Sequence, residues 1–423
     1  LRIMSLSDSS MSARTMVWGM ALEGIKERPI LGWGQEDFNF VFNKYYDPGM
    51  YNKETWYDRT HNVLLDWLIA AGALGLLAYL SVIAAFLWLM YKSEYFTALQ
   101  KCILFGMMSA YGFYLLTVFD DNISYLVFFS IMAWVYATAG TYLPRKETLI
   151  PEISKQKVQL IGIPIVSVCL LCLLWYLNVV PLNTNKNLIE GMQYVYDASA
   201  LASSGRTLEA SSTLENGLEL FKKIAESNSL FGLQEVREQW ANLTSELMQA
   251  DWISQPVKDI WYQEASAALE AQEEDVPEDA RSPYLLANLH INYGNQDAGW
   301  DALLRADELS PNKQSILLQL AAQAFNAEEY AVALSYSERA FELETSYIDA
   351  RIVYILSLIM SGDYEKAFGL IQEEPTTMND TRIMQAFIIQ EQYETARAIW
   401  ETIFQEDITN PDTAFALAII YGN

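Results

Sequence analysis

The sequence predicts an all-α protein, polytopic transmembrane helices followed by an α-solenoid, and three observations carry that prediction. Four long apolar runs fill residues 63–180. From Asn187 onward, apolar and small residues recur with helical spacing, and the pattern repeats every 34 residues. Charge divides the chain at the same place: residues 183–423 hold 39 acids against 14 bases and so carry nearly all of the net charge of -26. Two regions bathed in different solvents are implied. The hydrophobic share of 52%, with 12 Trp and 25 Tyr, is high for a chain lying wholly in water. The acidic half argues against a nucleic-acid partner, because phosphate binding needs clustered Lys and Arg, and it is repelled by anionic headgroups. The expected divisions are 1–62, an extracytoplasmic loop with an interfacial helix; 63–182, a membrane domain with four transmembrane helices; and 183–423, an extracytoplasmic domain of helical repeats.

Ser9 and Ser10 can cap a helix over Met11 to Lys26, which stops before Arg28-Pro29 because proline disfavours helix in the residue preceding it. Met16, Val17, Met20, Ala21 and Ile25 give that helix one apolar face. In Pro29 to Gly34 two glycines permit a tight turn. Phe38 to Trp56 reads as a folded polar loop with aromatic contacts. The first apolar run, Val63 to Met90, exceeds the roughly 20 residues that cross a bilayer, so either it tilts or the crossing proper begins near Gly72. The others run from about Cys102 to Phe119, Leu126 to Tyr142 and Val158 to Val180.

The linkers between these runs set an orientation. Lys92 and Lys101 lie between the first two, and Arg145, Lys146, Lys155 and Lys157 between the last two, whereas Asp120 to Ser124 contains no base. The positive-inside rule places the basic linkers in the cytoplasm, and the His61 loop, the Asp120 turn and everything after Pro181 outside. Further along, Tyr330 and Tyr364, and Gly299, Ala333 and Ala367, stand 34 apart, and Pro311 closes a unit. This is the tetratricopeptide period, whose helix pairs stack into a solenoid with a concave docking groove. Three such repeats are readable, with further helices of unclear phase between Asn187 and Asp279.

Few residues offer chemistry. His61, one of two histidines, stands where the polar loop meets the first apolar run and can act as a base near neutral pH, although a surface imidazole is equally at home there. Arg59 can grip two phosphate oxygens, or simply solvate the loop. Arg14, four residues before Trp18, reads as a phosphate ligand or a snorkelling side chain. Asp66, inside an apolar run, requires protein, water or a base beside it. Gly72 and Gly75 suit close packing between helices. Asp120 and Asp121 could meet a cation or a sugar hydroxyl, but acids in so short a turn commonly serve only to keep it wet. His290 belongs to the core of a repeat. Cys102, Cys169 and Cys172 all lie in apolar runs, so neither disulfides nor a metal site is expected. No Walker, dinucleotide, Ser-His-Asp or His-Glu-x-x-His pattern occurs.

Taken together, Arg14-Thr15-Met16-Val17-Trp18, the Pro29-Ile30-Leu31-Gly32-Trp33-Gly34 turn and His61-Asn62 followed by Gly72 and Gly75 resemble the signature of the O-antigen ligase superfamily. The resemblance covers roughly Met11 to Gly140. It implies a multi-pass protein of the inner (cytoplasmic) membrane that moves a glycan from a polyprenyl-diphosphate carrier to an acceptor hydroxyl at the outer face. It implies no cofactor and no metal. In that scheme Arg14 and Arg59 bind the diphosphate, His61 helps deprotonate or orient the acceptor, and Asn62, Gly72 and Gly75 form the structural motif. The implied partners are membrane lipid, the lipid-linked glycan, an acceptor glycolipid or protein, and a protein docked on the repeat groove. Such proteins have more membrane helices upstream, so the sequence reads as an N-terminally truncated member, incomplete as an enzyme by itself. A polymerase of lipid-linked repeat units fits the same residues. A membrane-anchored repeat scaffold without catalysis explains the helices but not the His61 and glycine spacing. Deleting residues 187–423 is expected to reduce selectivity or localisation while leaving residual transfer.

Overall fold

The computed structural model describes residues 8–139, 158–227, 229, 231–406 and 417, and among these the chain is helical without a β-strand. Its contacts divide it into two units, one of residues 1–20, 42–56 and 296–423, the other of residues 21–41 and 57–295. Helix α1, Asp8–Glu27, closes one residue beyond the expected end. Ala13, Val17, Met20 and Ala21 are its buried stripe. The expected polar loop after it contains structure that was not anticipated. Phe38, Val41 and Phe42 are buried at helical spacing and form a short helix α2, Phe38–Lys44, and Asp47 caps a turn at Pro48–Met50 by accepting from the Gly49 amide at 2.9 Å.

The apolar runs form α3, Val63–Lys92; α4, Ala98–Tyr114; and α5, Asn122–Ala139. Thr97 and Gln100 close a capping box at the start of α4. Helix α5 starts earlier than the apolar run, because the Asp121 carboxylate accepts the Ser124 amide at 2.6 Å and the Ser124 hydroxyl accepts the Asp121 amide at 2.8 Å. The basic linker at 145–157 lies outside the described residues. The fourth run is α6, Ile163–Leu174, flanked by π-helical turns at Val158–Gly162 and Trp175–Val179. It continues without interruption into α7, Val180–Ser203, so residues 182 and 183 are consecutive positions of one helix. Proline cannot donate to the ladder and crowds the carbonyl four residues back, and the wider turn just before Pro181 relieves that strain.

Among the described residues, two helices, Val63–Lys92 and Leu160–Ser203, are long and apolar enough to cross a membrane. Leu74, Leu77, Trp88, Leu170, Leu171 and Leu174 are exposed on them. Side chains of that type ringing a helix that buries little of itself suit hydrocarbon, where the helix also satisfies its own backbone.

In the second unit the solenoid begins with α7, α8 (Thr207–Ala225), α9 (Leu233–Met248), α10 (Gln255–Asp275) and α11 (Arg281–Tyr293), each packed on the next. Phe221 stacks on Trp240 at 5.5 Å and meets Trp261 edge-on at 6.0 Å. His290 is buried and bonded through Nδ1 to the Tyr262 hydroxyl at 2.9 Å. In the first unit α12 (Gln296–Leu309), α14 (Tyr330–Leu343) and α16 (Tyr364–Glu373) begin at the 34-residue period, with α13 (Gln314–Asn326) and α15 (Ile348–Ser361) between them. Gly299, Ala333 and Ala367 are buried at equivalent positions, where larger side chains would hold the paired helices apart. Two helices follow, α17 (Thr381–Ile389) and α18 (Tyr393–Glu406), with Ala396 buried.

One buried carboxyl gives the solenoid a pH dependence. Glu238 on α9 is 1% exposed beside Arg281, at 2.7 Å. Burial raises its pKa from the ordinary 4.5 to about 7, against the opposing pull of Arg281. Between those values the folded chain keeps a proton that the unfolded chain has released, so this group lowers stability as pH rises through the window. Melting temperature should therefore rise on acidification from pH 8 to pH 6, and Glu238→Gln should flatten that slope. An unchanged slope in the variant would remove Glu238 as the cause.

Candidate functional site

The site begins with an interlock in the second unit. At Gly72 the backbone of α3 leaves the helix (φ 62, ψ -162), and the Pro29 to Trp33 turn lies against the break. The Ala73 amide donates to Pro29 O at 2.9 Å and the Trp33 amide to Ile69 O at 2.7 Å, so groups freed by the kink are satisfied by the turn. The approach is close enough to need glycine on both sides. A Cβ at Gly72 would stand 2.3 Å from the carbonyl of Ile30, and one at Gly32 would stand 2.4 Å from Ile69 O. Residues 73–92 then form a helical segment of roughly the length that spans a bilayer. Gly75, one turn on, faces its own helix, where a Cβ would lie 2.2 Å from that of Ala71.

The same helix starts at a cap that positions the histidine. Asn62 Oδ1 accepts the amides of Leu64 at 3.0 Å and Leu65 at 3.3 Å, while its Nδ2 donates to Leu116 O at 3.1 Å. The Val63 amide donates to Leu115 O at 3.0 Å. The start of α3 is thereby tied to the end of α4. His61, just before the cap, has φ 56, an uncommon conformation for a residue other than glycine. Its ring is half-buried between Tyr57, at 5.9 Å, and Phe119, at 5.2 Å. Strain of this kind persists where surrounding contacts over-determine it, and it clusters at working sites.

Beside this cap is a cavity of about 330 Å³. Phe38, Trp67, Tyr125 and Phe129 give it aromatic walls, and Glu36, Asp37, Asp58, Asp66 and Asp120 line it together with Arg59. The Arg59 guanidinium pairs with Glu36 and lies 5.6 Å from the Phe119 ring that also touches His61. Phe119 thus brings Arg59 and His61 together, and the next residue, Asp120, lines the cavity. Thr60 holds Asp66 Oδ1 through its amide at 2.9 Å and its hydroxyl at 2.7 Å. Tyr111 and Ser124 hold Asp120 Oδ1. The other oxygens, Asp66 Oδ2 and Asp120 Oδ2, are buried and accept no hydrogen bond from the described residues. Burial, reinforced by Glu278 and Glu36, pushes the Asp37 carboxyl up, with Arg28 acting the other way.

This chemistry differs from the positive pocket that a diphosphate implies. The cavity's one guanidinium is engaged by a carboxylate, and the unused acceptors suit hydroxyl or ammonium donors. Among the described residues no group of His, Cys, Asp or Glu is arranged to hold a metal ion. Arg14 is half-buried on α1 in the first unit, four residues before Trp18. Asp120 was legible in the sequence only as an acid in a short turn. Its role depends on contacts with Tyr111 and Ser124 that no local pattern announces.

Residues 2–80 match the family described as Wzy_C, O-antigen ligase. The matched stretch contains Arg14, the Gly32–Gly72 interlock, Arg59, His61 and Asn62, while Phe119 and Asp120 lie beyond it. None of the curated proteins matches the chain. Among solved structures, it is similar to YrrB, described as a tetratricopeptide protein with an unusual peptide-binding site, at 17% identity over 46% of this chain and 96% of that one, TM-score 0.33. It is also similar to Pseudomonas aeruginosa PilF, at 14% identity over 56% and 99%, TM-score 0.31. A tetratricopeptide repeat-containing protein from Cytophaga hutchinsonii is similar at 13% identity over 57% and 94%, TM-score 0.35.

Proposed function

We propose that this protein transfers a glycan from a polyprenyl-diphosphate carrier to an acceptor hydroxyl at the outer face of the cytoplasmic membrane. The observation that supports it most is the convergence of Arg59 and His61 on Phe119, beside a cavity with two unused carboxylate oxygens, at the start of an apolar helix. The acceptor hydroxyl attacks the anomeric carbon, and the bond from that carbon to the diphosphate oxygen breaks. The diphosphate departs with the electron pair, and the acceptor proton passes to the His61 imidazole. Arg59 exchanges Glu36 for a diphosphate oxygen. Asp66 and Asp120 accept hydrogen bonds from sugar hydroxyls lying against the aromatic walls. The repeats dock a protein partner, and the remaining apolar segments give a multi-pass topology with the repeats outside.

The test is product analysis with the full-length protein in proteoliposomes, supplied with a polyprenyl-diphosphate oligosaccharide and either a glycolipid or a protein acceptor. Glycan on the acceptor with release of polyprenyl diphosphate supports a ligase. Carrier-linked chains lengthened by whole units identify a polymerase. Neither product, from folded protein, leaves a scaffold. Arg59→Ala should lower transfer by about 100-fold through loss of charge stabilisation at the leaving group. Unchanged transfer would remove Arg59 from the site.

A further inference from the structure

In the first unit, one inter-repeat turn is buried against the loop that leads to His61. Ser310 and Lys313, between α12 and α13, and Gln314, the first residue of α13, are each no more than 1% exposed. The Lys313 ammonium lies 3.4 Å from the centre of the Trp56 ring, 5.0 Å from that of Tyr46 and 5.3 Å from that of Phe42, and it donates to Thr55 O. Ser310 Oγ donates to Asn43 O at 2.8 Å and Gln314 Nε2 to Pro48 O at 2.9 Å. The Tyr51 ring stacks on Tyr347 of the next repeat at 4.4 Å. A turn between repeats normally faces water. Here three polar side chains are buried, a costly arrangement unless their donors are paired, and Ser310 Oγ, Lys313 Nζ and Gln314 Nε2 each donate to a backbone carbonyl of residues 43–55, while Gln314 Oε1 accepts nothing from the described residues. A cation among aromatic faces adds directional attraction at the Trp56 end.

A separate contact, inside the second unit, ties the repeats to the cavity wall. The carboxylate of Asp279, 1% exposed, accepts the Arg281 amide at 3.0 Å and the side chains of Gln234, at 3.3 Å, and Asn39. Asn39 follows Asp37 and Phe38, which line the cavity.

We propose that the repeats are a positioning device for the transfer site, in which Lys313 fixes the end of the 42–56 loop and so sets the placement of Arg59 and His61. Trp56 precedes Arg59 by three residues and His61 by five, a stretch too short to absorb free movement of the loop. This rests on the transfer reading above. It also opposes the expectation that deleting the repeats leaves residual transfer, because a released loop loses its anchor.

Lys313→Met keeps length and apolar bulk but removes the charge and the donors, whereas Lys313→Arg restores both. In full-length protein in membranes, Lys313→Met should cut kcat for transfer at least about tenfold, since small misplacements of reacting groups are that costly. Lys313→Arg should recover most of the loss. Trypsin cleavage after Lys53 should quicken in Lys313→Met and return toward wild type in Lys313→Arg. A loss that the arginine does not rescue overturns the positioning role. So does Lys313→Met transfer within twofold of wild type while His61→Ala abolishes it. Silence of both Lys313→Met and His61→Ala would instead count against the transfer site itself. Should Lys313→Met fail to fold, Tyr51→Ala, which loosens the same loop at the Tyr347 stack, should lower kcat in the same direction, and a wild-type rate there overturns the proposal.

Discussion

Gly72→Ala should strip the second unit of its stability, with a melting temperature lowered by many degrees or no folded protein recovered from membranes. The backbone there lies in a region that only glycine enters readily, which costs about 1–3 kcal/mol for any other residue. The added methyl would also stand 2.3 Å from a backbone carbonyl, and overpacking of this kind costs about 1–3 kcal/mol more. Ile30 cannot swing aside as a side chain would, because its carbonyl is part of the turn that accepts from α3. The total is a large share of the roughly 5–15 kcal/mol that holds a domain folded. Gly106→Ala is the matched control. A Cβ there meets nothing within 4 Å, so the melting point should barely move. If Gly72→Ala melts like its control, the interlock does not support the domain.

The interlock also shows what the sequence could and could not convey. Gly32 and Gly72 are each legible as positions where backbones come close, but nothing in a spacing of forty residues says that they meet each other. Helix α2 escaped notice because its three buried apolar residues, Phe38, Val41 and Phe42, are too few to establish a period. The Asp121-to-Ser124 cap was available to the capping rule and explains why α5 starts before the apolar run. Asp120, beside it, was not available, since its hydrogen-bonded oxygen is defined by Tyr111 on another helix. The repeats were readable because small residues are obligatory wherever two helices pack closely, and Ala333 and Ala367 preserve that need at a fixed interval. Pro181 looked like a boundary, yet a widened turn carries the helix through it. Lys313 sat in a turn that pattern alone assigns to water, and its burial depends on a loop more than 250 residues away.

The resemblance drew attention to His61, and the structure adds a reason to choose its replacement with care. Its φ of 56 is poorly tolerated by alanine but is adopted readily by asparagine, so His61→Asn removes the imidazole while respecting the backbone. A positioned general base contributes about 100- to 10,000-fold to a rate, and the site offers no second imidazole, because the only other histidine is bonded to Tyr262 inside the solenoid. Binding of the lipid-linked donor should survive, since Arg59 and the aromatic walls are untouched. The most direct measurement is the initial rate of glycan transfer by the full-length protein in membranes, comparing wild type with His61→Asn and His61→Ala at matched levels of folded, inserted protein. A fall of about 100-fold or more in both variants is the result this account predicts. Transfer at the wild-type rate in His61→Asn would contradict it and move the chemistry away from this cavity.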